Sequence, residues 1–264
     1  MNNTFNAKRF ALLFKKTLLE RPTQMFGFTG LILAVILILY FVCKSQISFP
    51  VAQNITFIWG LAGGACFFAS FVFGYFSSNA SGASYLTLPA SAFEKWLCGI
   101  LITGVLYPLI FLLFYRMMDT GFVAMYHNSL DPSSPLYKMQ YDAVYVFSFT
   151  GRLAMKVYPI YLLLTGISLI GSLYFNKASF IKTALSFCLV CFALFAFNWM
   201  FAIILFGKID SAFPFHGVDL LVGKEVGSID LPKQMFQVYA YASDFIVPLL
   251  FWGLTYIRLR EKEF

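Results

Sequence analysis

The sequence predicts an all-α membrane protein: an N-terminal amphipathic helix lying at the membrane surface, then six transmembrane helices, with both termini cytoplasmic. Three observations carry this. Of 264 residues, 60% are hydrophobic and only 12% charged, about half the charged share of a soluble domain, and mean hydropathy is +0.76. Six apolar runs recur, each close to the ~20 residues that cross a hydrocarbon core. Charge is also divided unequally between the segments that separate them. The 33 Phe and 15 Tyr suit lipid-facing and interfacial positions on helices better than the alternation of a membrane barrel.

Residues 4–21 carry Lys8, Arg9, Lys15 and Lys16 beside an apolar stripe of Phe10, Leu13, Phe14, Thr17 and Leu18. That spacing predicts an amphipathic helix whose basic face suits an anionic leaflet. The long apolar run that follows has no small-x-small cleavage site, which argues against a signal peptide.

The six spans are expected at 26–43, 57–76, 96–115, 157–175, 181–206 and 238–257. Even parity puts both termini on one side. The termini, 77–95 and 176–182 hold 11 Lys and Arg against 4 acids, whereas the other loops hold 8 against 7. By the positive-inside rule the first set is cytoplasmic.

Within 77–95, Ser91 and Glu94 form a Ser-x-x-Glu capping box after Pro89, which predicts a helix start. The outer loops are 116–156 and 207–237. In the first, Tyr137, Tyr141, Val144, Tyr145 and Ser148 have helical spacing, which predicts a surface helix within 136–155. Both outer loops read either as ordinary connections or as an exit vestibule or lid.

Inside the spans, Gly60, Gly63, Gly64, Ala65 and Ala69 give the second span a small-residue face for close helix approach. Pro108, Pro159 and Pro248 each remove a helical hydrogen bond. Asp244 stands out as the one carboxylate within a span. Two readings are open for it: packing near the interface, or contact with a substrate, proton or subunit.

Cys43, Cys66, Cys98, Cys188 and Cys191 lie in or beside apolar runs and read as packing residues rather than a disulfide framework. His127 and His216 lie in separate loops without nearby thiols, so no metal site is expected. No G-x-x-x-x-G-K-[ST], H-E-x-x-H or G-x-S-x-G occurs. The chain is therefore expected not to be an enzyme and to draw energy from an ion gradient or another subunit.

Several short stretches resemble the permease subunits of type-2 ATP-binding-cassette exporters, of a kind common in the Bacteroidota. They are Asn6 with Ala7, Lys8, Arg9 and Phe10; the run Tyr85, Leu86, Thr87, Leu88, Pro89, Ala90 and Ser91; and Glu94, Lys95 and Trp96. Further pieces are 171–175, 180–183 and the terminal Arg258, Leu259, Arg260, Glu261, Lys262 and Glu263.

The resemblance implies a bacterial inner-membrane protein that pairs with a second permease subunit, in a homo- or heterodimer. A separate cytosolic ATPase would bind ATP and Mg for the pair; this chain would bind no cofactor itself and no nucleic acid. Tyr85, Leu86, Leu88, Pro89, Ala90, Ser91, Glu94 and Lys95 would form the coupling contact with that ATPase. The cargo would be an amphipathic peptide, a lipid or a hydrophobic drug. The family's outer region varies and Asp244 matches none of its sites. Two other classes stay open: a gradient-driven carrier using Asp244, and a non-transporting membrane sensor or assembly protein.

Overall fold

A computed structural model of the chain describes residues 5–20, 22–77, 79–175, 177–207, 209–214, 217–222, 225–230 and 232–262. Helix α1 (Ala7–Glu20) precedes α2 (Met25–Gln46) and α3 (Phe49–Val72). A 3-10 turn, Gly74–Ser77, leads to the short helix α4 (Asn79–Leu86) and then to α5 (Ala92–Asn128). After the short α6 (Tyr137–Asp142) come α7 (Arg152–Tyr174) and α8 (Ser179–Phe206). Strands β1 (Ile209–Phe213), β2 (Gly217–Val222) and β3 (Glu225–Asp230) lie before the last helix, α9 (Lys233–Glu261). Helices α2, α3, α5, α7, α8 and α9 are long and apolar enough to cross a membrane, as expected from the six apolar runs.

All six helices are longer than the predicted spans, and two of the differences involve polar residues. Helix α3 begins at Phe49, just two residues after α2 ends, with Pro50 in its first turn, where a missing N–H costs nothing. Its first turns carry Gln53 and Thr56, which depress local hydropathy, yet both are buried. Helix α5 continues to Asn128 through Arg116, Asp119 and Thr120. Hydropathy ended that span at 115 because these residues are polar, yet Asp119 is buried and Arg116 half-buried, each with protein partners.

The outer connections also differ from expectation. Of the predicted surface helix, Tyr137–Asp142 is helical and 152–155 belongs to α7, whereas 144–148 has no regular structure. In the second connection, β1, β2 and β3 form an antiparallel meander paired in sequence order, with Val218 opposite Ile229 and Leu220 opposite Gly227. This small sheet is an addition to an otherwise helical chain, which remains consistent with the expected all-α membrane class.

Helix α7 is the hub, packing on α3, α8 and α9. Close approach there depends on absent side chains. A Cβ on Gly60 or Gly64 would strike Phe111 or the Tyr107 hydroxyl of α5, and that hydroxyl donates to Gly60 O at 2.6 Å. The small-residue face of α3 is thus used against α5 and α2. Trp252 of α9 lies between Gly104 of α5 and Gly166 of α7, and its Nε1 donates to Leu162 O at 2.9 Å. Four spans contain a π turn: Thr23–Gly27, Trp59–Gly63, Leu101–Leu106 and Ala242–Ile246. The last two directly precede Pro108 and Pro248, which leave carbonyls one turn back without a donor.

Candidate functional site

One end of the bundle gathers α1, α4, the start of α5 and the end of α9; we refer to it as the terminal end. The capping box forms as the sequence predicts. Glu94 N donates to Ser91 Oγ at 3.3 Å, and Ser91 N donates to Glu94 Oε2 at 2.9 Å. Glu94 does more than cap, because it also accepts from α1. Arg9 Nε donates to Oε2 at 2.8 Å, Arg9 Nη2 to Oε1 at 2.7 Å, and Asn6 N to Oε1 at 2.9 Å. The carboxylate has no exposed surface, whereas Arg9 keeps 28% of its side chain exposed. The hydrogen bonds and charge of Glu94 raise the Arg9 pKa above its ordinary value.

Lys95 is also buried: its Nζ donates to Leu86 O at 3.0 Å and lies over the Tyr85 ring. Tyr85 stacks on Tyr75 with ring centroids 4.5 Å apart, and Phe76 meets Tyr85 edge-on. Lys262, at the end of α9, caps Phe76 by a cation–π contact of 4.5 Å; burial, and then the charge of Arg258, lower its pKa. Trp96 and Phe93 both pack on Tyr256 of α9.

The packing divides the expected contact residues by exposure. Of the eight, Tyr85, Ala90, Glu94 and Lys95 are buried, with the Tyr85, Glu94 and Lys95 side chains engaged by the aromatic cluster, α1 and α4. Leu86, Leu88 and Ser91 are half-buried, and Pro89 is exposed. Thr87 and Phe93, which the sequence reading did not single out as contacts, are exposed beside Pro89. The outward surface of this hairpin is therefore a knuckle of Thr87, Pro89 and Phe93 backed by a fixed interior.

Helix α1 divides in the same way. Its apolar stripe faces the bundle: Leu13 and Thr17 are buried, Phe10, Phe14 and Leu18 pack on the core, and Cys98 Sγ lies 3.7 Å from Thr17 Oγ1. Lys8, Lys15 and Lys16 are exposed, as are Phe5, Leu12 and Leu19. Any contact of α1 with lipid thus falls to this second set.

The opposite end holds a site that the sequence reading missed. Asp119 of α5 has no exposed surface. Its Oδ1 accepts from the Tyr40 hydroxyl at 2.7 Å and Gln53 Nε2 at 2.8 Å, and its Oδ2 from Phe147 N at 2.7 Å. Phe147 belongs to the irregular strap at 144–148, and neighbouring side chains engage the rest of it and Phe149 beyond it. Gln53 Nε2 also donates to Tyr145 O, Arg116 Nη1 to Phe147 O, His127 Nε2 to Val144 O and the Tyr158 hydroxyl to Phe149 O. Side chains from three spans thus satisfy backbone groups that a surface helix would have satisfied internally.

Asp244 is far less engaged. It is half-buried in the π turn of α9, and the Ser243 hydroxyl lies 3.4 Å from it but has a nearer acceptor in Ala240 O at 3.0 Å. Among the described residues no cluster of three or more His, Cys, Asp or Glu could hold a metal. The five cysteines are free, and His216 lies outside the described residues.

Fold and site together define a multi-pass helical membrane protein with a braced, partly exposed hairpin at its terminal end. Comparison of the chain with models of known protein families, with curated proteins and with solved structures found no match.

Proposed function

We propose that this chain is the membrane-spanning subunit of an ATP-driven exporter in a bacterial inner membrane. Its terminal end is cytoplasmic, and a second permease subunit completes the translocation path. A separate cytosolic ATPase, carrying ATP and Mg, docks on the Thr87, Pro89 and Phe93 knuckle. The cargo is an amphipathic peptide, a lipid or a hydrophobic drug. The chain itself hydrolyses nothing.

The observation that carries this reading is the bracing behind the knuckle. Lys95 and Glu94 tie α4, α1 and the first turn of α5 together, and Phe93 and Trp96 bear on α9. A push on such a surface moves three helices rather than folding a loop. The positive charge of the terminal segments supports a cytoplasmic orientation, and the resemblance of stretches such as 85–91 and 258–263 to type-2 exporter permeases supports the class.

The test is affinity purification of the full chain from native membranes in mild detergent. The expected result is a copurifying ATPase with a phosphate-binding loop. Pro89→Arg or Phe93→Arg should lower its recovery about tenfold, the change that ~1.4 kcal/mol of binding makes, while the membrane domain stays monodisperse. Recovery of no nucleotide-binding partner overturns the proposal.

A further inference from the structure

A groove runs between the α2–α3 pair and the α7–α8 pair. Its larger chamber, about 690 Å³, is almost wholly apolar and is walled by Val35, Trp59, Leu164, Ala184 and Phe187. A smaller chamber of about 350 Å³ lies next to it at the terminal end, where Ser70, Ser172 and Ser179 join the wall. Phe67 and Phe180 line both chambers and meet edge-on at 5.4 Å. Passage from one chamber to the other therefore runs past this aromatic pair.

Two hydroxyl oxygens beside that junction are buried without a hydrogen-bond partner among the described residues: Ser179 Oγ and Thr183 Oγ1. Thr183 presses on Gly171, whereas Ser179 belongs to the smaller chamber. Ser70 and Ser172 donate to Cys66 O and Leu169 O, so neither proton is available to a ligand. A hydroxyl proton in apolar surroundings is unfavourable until an acceptor reaches it. Basic residues flank the same chamber. Lys177 stands between its wall residues Phe175 and Ala178, and the exposed Lys182 has its Nζ 5.9 Å from the Phe175 ring centre. Along the groove the chemistry is thus graded from cationic, through an unpartnered donor, to hydrocarbon.

We propose that this groove holds one glycerophospholipid of the leaflet at the terminal end. One acyl chain fills the larger chamber, whose volume lies within the ~300–1,000 Å³ of small-ligand sites. An ester carbonyl accepts from Ser179, and the phosphate lies toward Lys177 and Lys182. The site goes beyond the exporter reading and needs only the bilayer, so it stands whether or not an ATPase docks.

The probe is phosphatidylglycerol with a diazirine midway along one acyl chain, in vesicles of phosphatidylethanolamine and phosphatidylglycerol holding the full chain. After photolysis, adducts on Val35, Leu164 and Ala184 should exceed those on the exposed Leu249, Leu250 and Leu254 of α9, which report ordinary annular lipid. Ala184→Trp should cut the groove adducts about tenfold and leave the α9 adducts unchanged. Ala184→Leu carries the test where the tryptophan variant does not fold. Ser179→Ala and Lys182→Gln should each weaken groove labelling, and the same diazirine on a free alkane should label the groove weakly. Equal labelling of groove and α9 overturns the proposal, as does indifference to groove filling, to Ser179→Ala or to the headgroup. Chain-to-chain adducts in place of lipid adducts, which would mean that a second copy fills the groove, also overturn it.

Discussion

Glu94 and Asp119 lie on the same helix, α5, about 37 Å apart by helical rise, and neither carboxylate has exposed surface. They are held in opposite ways. Glu94 is paired with a cation that reaches water and belongs to a separate, peripheral helix. Asp119 is held by three neutral donors from α2, α3 and the strap at 144–148. If α1 were displaced, the Arg9 cation would regain hydration and the buried Glu94 would keep the Ser91 N–H of its own capping box. Neutral donors buried around a carboxylate have no such recourse. The two ends of α5 are therefore built differently: one clasps a peripheral helix through a charged pair, and the other knots three spans and a strap. On the exporter reading, the charged clasp is the end that meets the ATPase.

The largest effect is expected at the knot. Asp119→Ala leaves the Tyr40 hydroxyl and Phe147 N–H without an acceptor, while Gln53 keeps Tyr145 O. At about 1–3 kcal/mol for each orphaned buried donor, the loss should be about 3 kcal/mol. Thermal unfolding in detergent would read it, and limited proteolysis should show new cuts in the strap. Asp119→Asn, which keeps one acceptor oxygen, should cost about half as much. A loss under about 1 kcal/mol with no new cuts would mean that Arg116, His127 and Tyr158 hold the strap without Asp119.

A smaller loss is expected at the clasp. Glu94→Ala removes the capping reciprocity and both Arg9 contacts, for about 2 kcal/mol. Cys98 supplies a local readout, since it is buried beneath Thr17 of α1. If α1 loosens, maleimide should reach Cys98 faster in the variant, while the already exposed Cys188 reacts unchanged. Arg9→Lys should show part of the same effect, because an ammonium cannot reproduce the forked contact. Unaltered Cys98 labelling would mean that the Leu13 and Phe14 packing holds α1 by itself. The pair is not opened by titrating Arg9, whose pKa is raised by Glu94.

The same contrast explains what the sequence discloses. The Ser91–Glu94 box is local, three residues apart, and can be read from the chain. The Arg9 partner is 85 residues away and is visible only in three dimensions. Asp119 was hidden for a different reason. A hydropathy window treats a polar residue as the end of a span, so Arg116 and Asp119 closed the third span early, just as Gln53 and Thr56 delayed the second. The six spans themselves were legible because lipid contact imposes long apolar runs whatever the packing. The β meander was not, since short strands outside the membrane leave a weak pattern.

Asp244 sharpens the comparison as the acid that hydropathy did single out. Placement in a span drew attention to it, yet its described contact is the adjacent Ser243 hydroxyl at 3.4 Å, and it is only half-buried. Nothing is orphaned when its charge is removed, so Asp244→Asn should shift stability by no more than about 0.5 kcal/mol. ATP-driven transport by the reconstituted complex should also persist, whereas a gradient-driven carrier using this group would lose transport at any ATP concentration. A stable but inactive Asp244→Asn would move the energy source from the knuckle to the membrane potential. A stable and active one would leave the buried ends of α5 as the places where carboxylates matter, because what an acid contributes here depends on the donors that close around it rather than on its depth along a span.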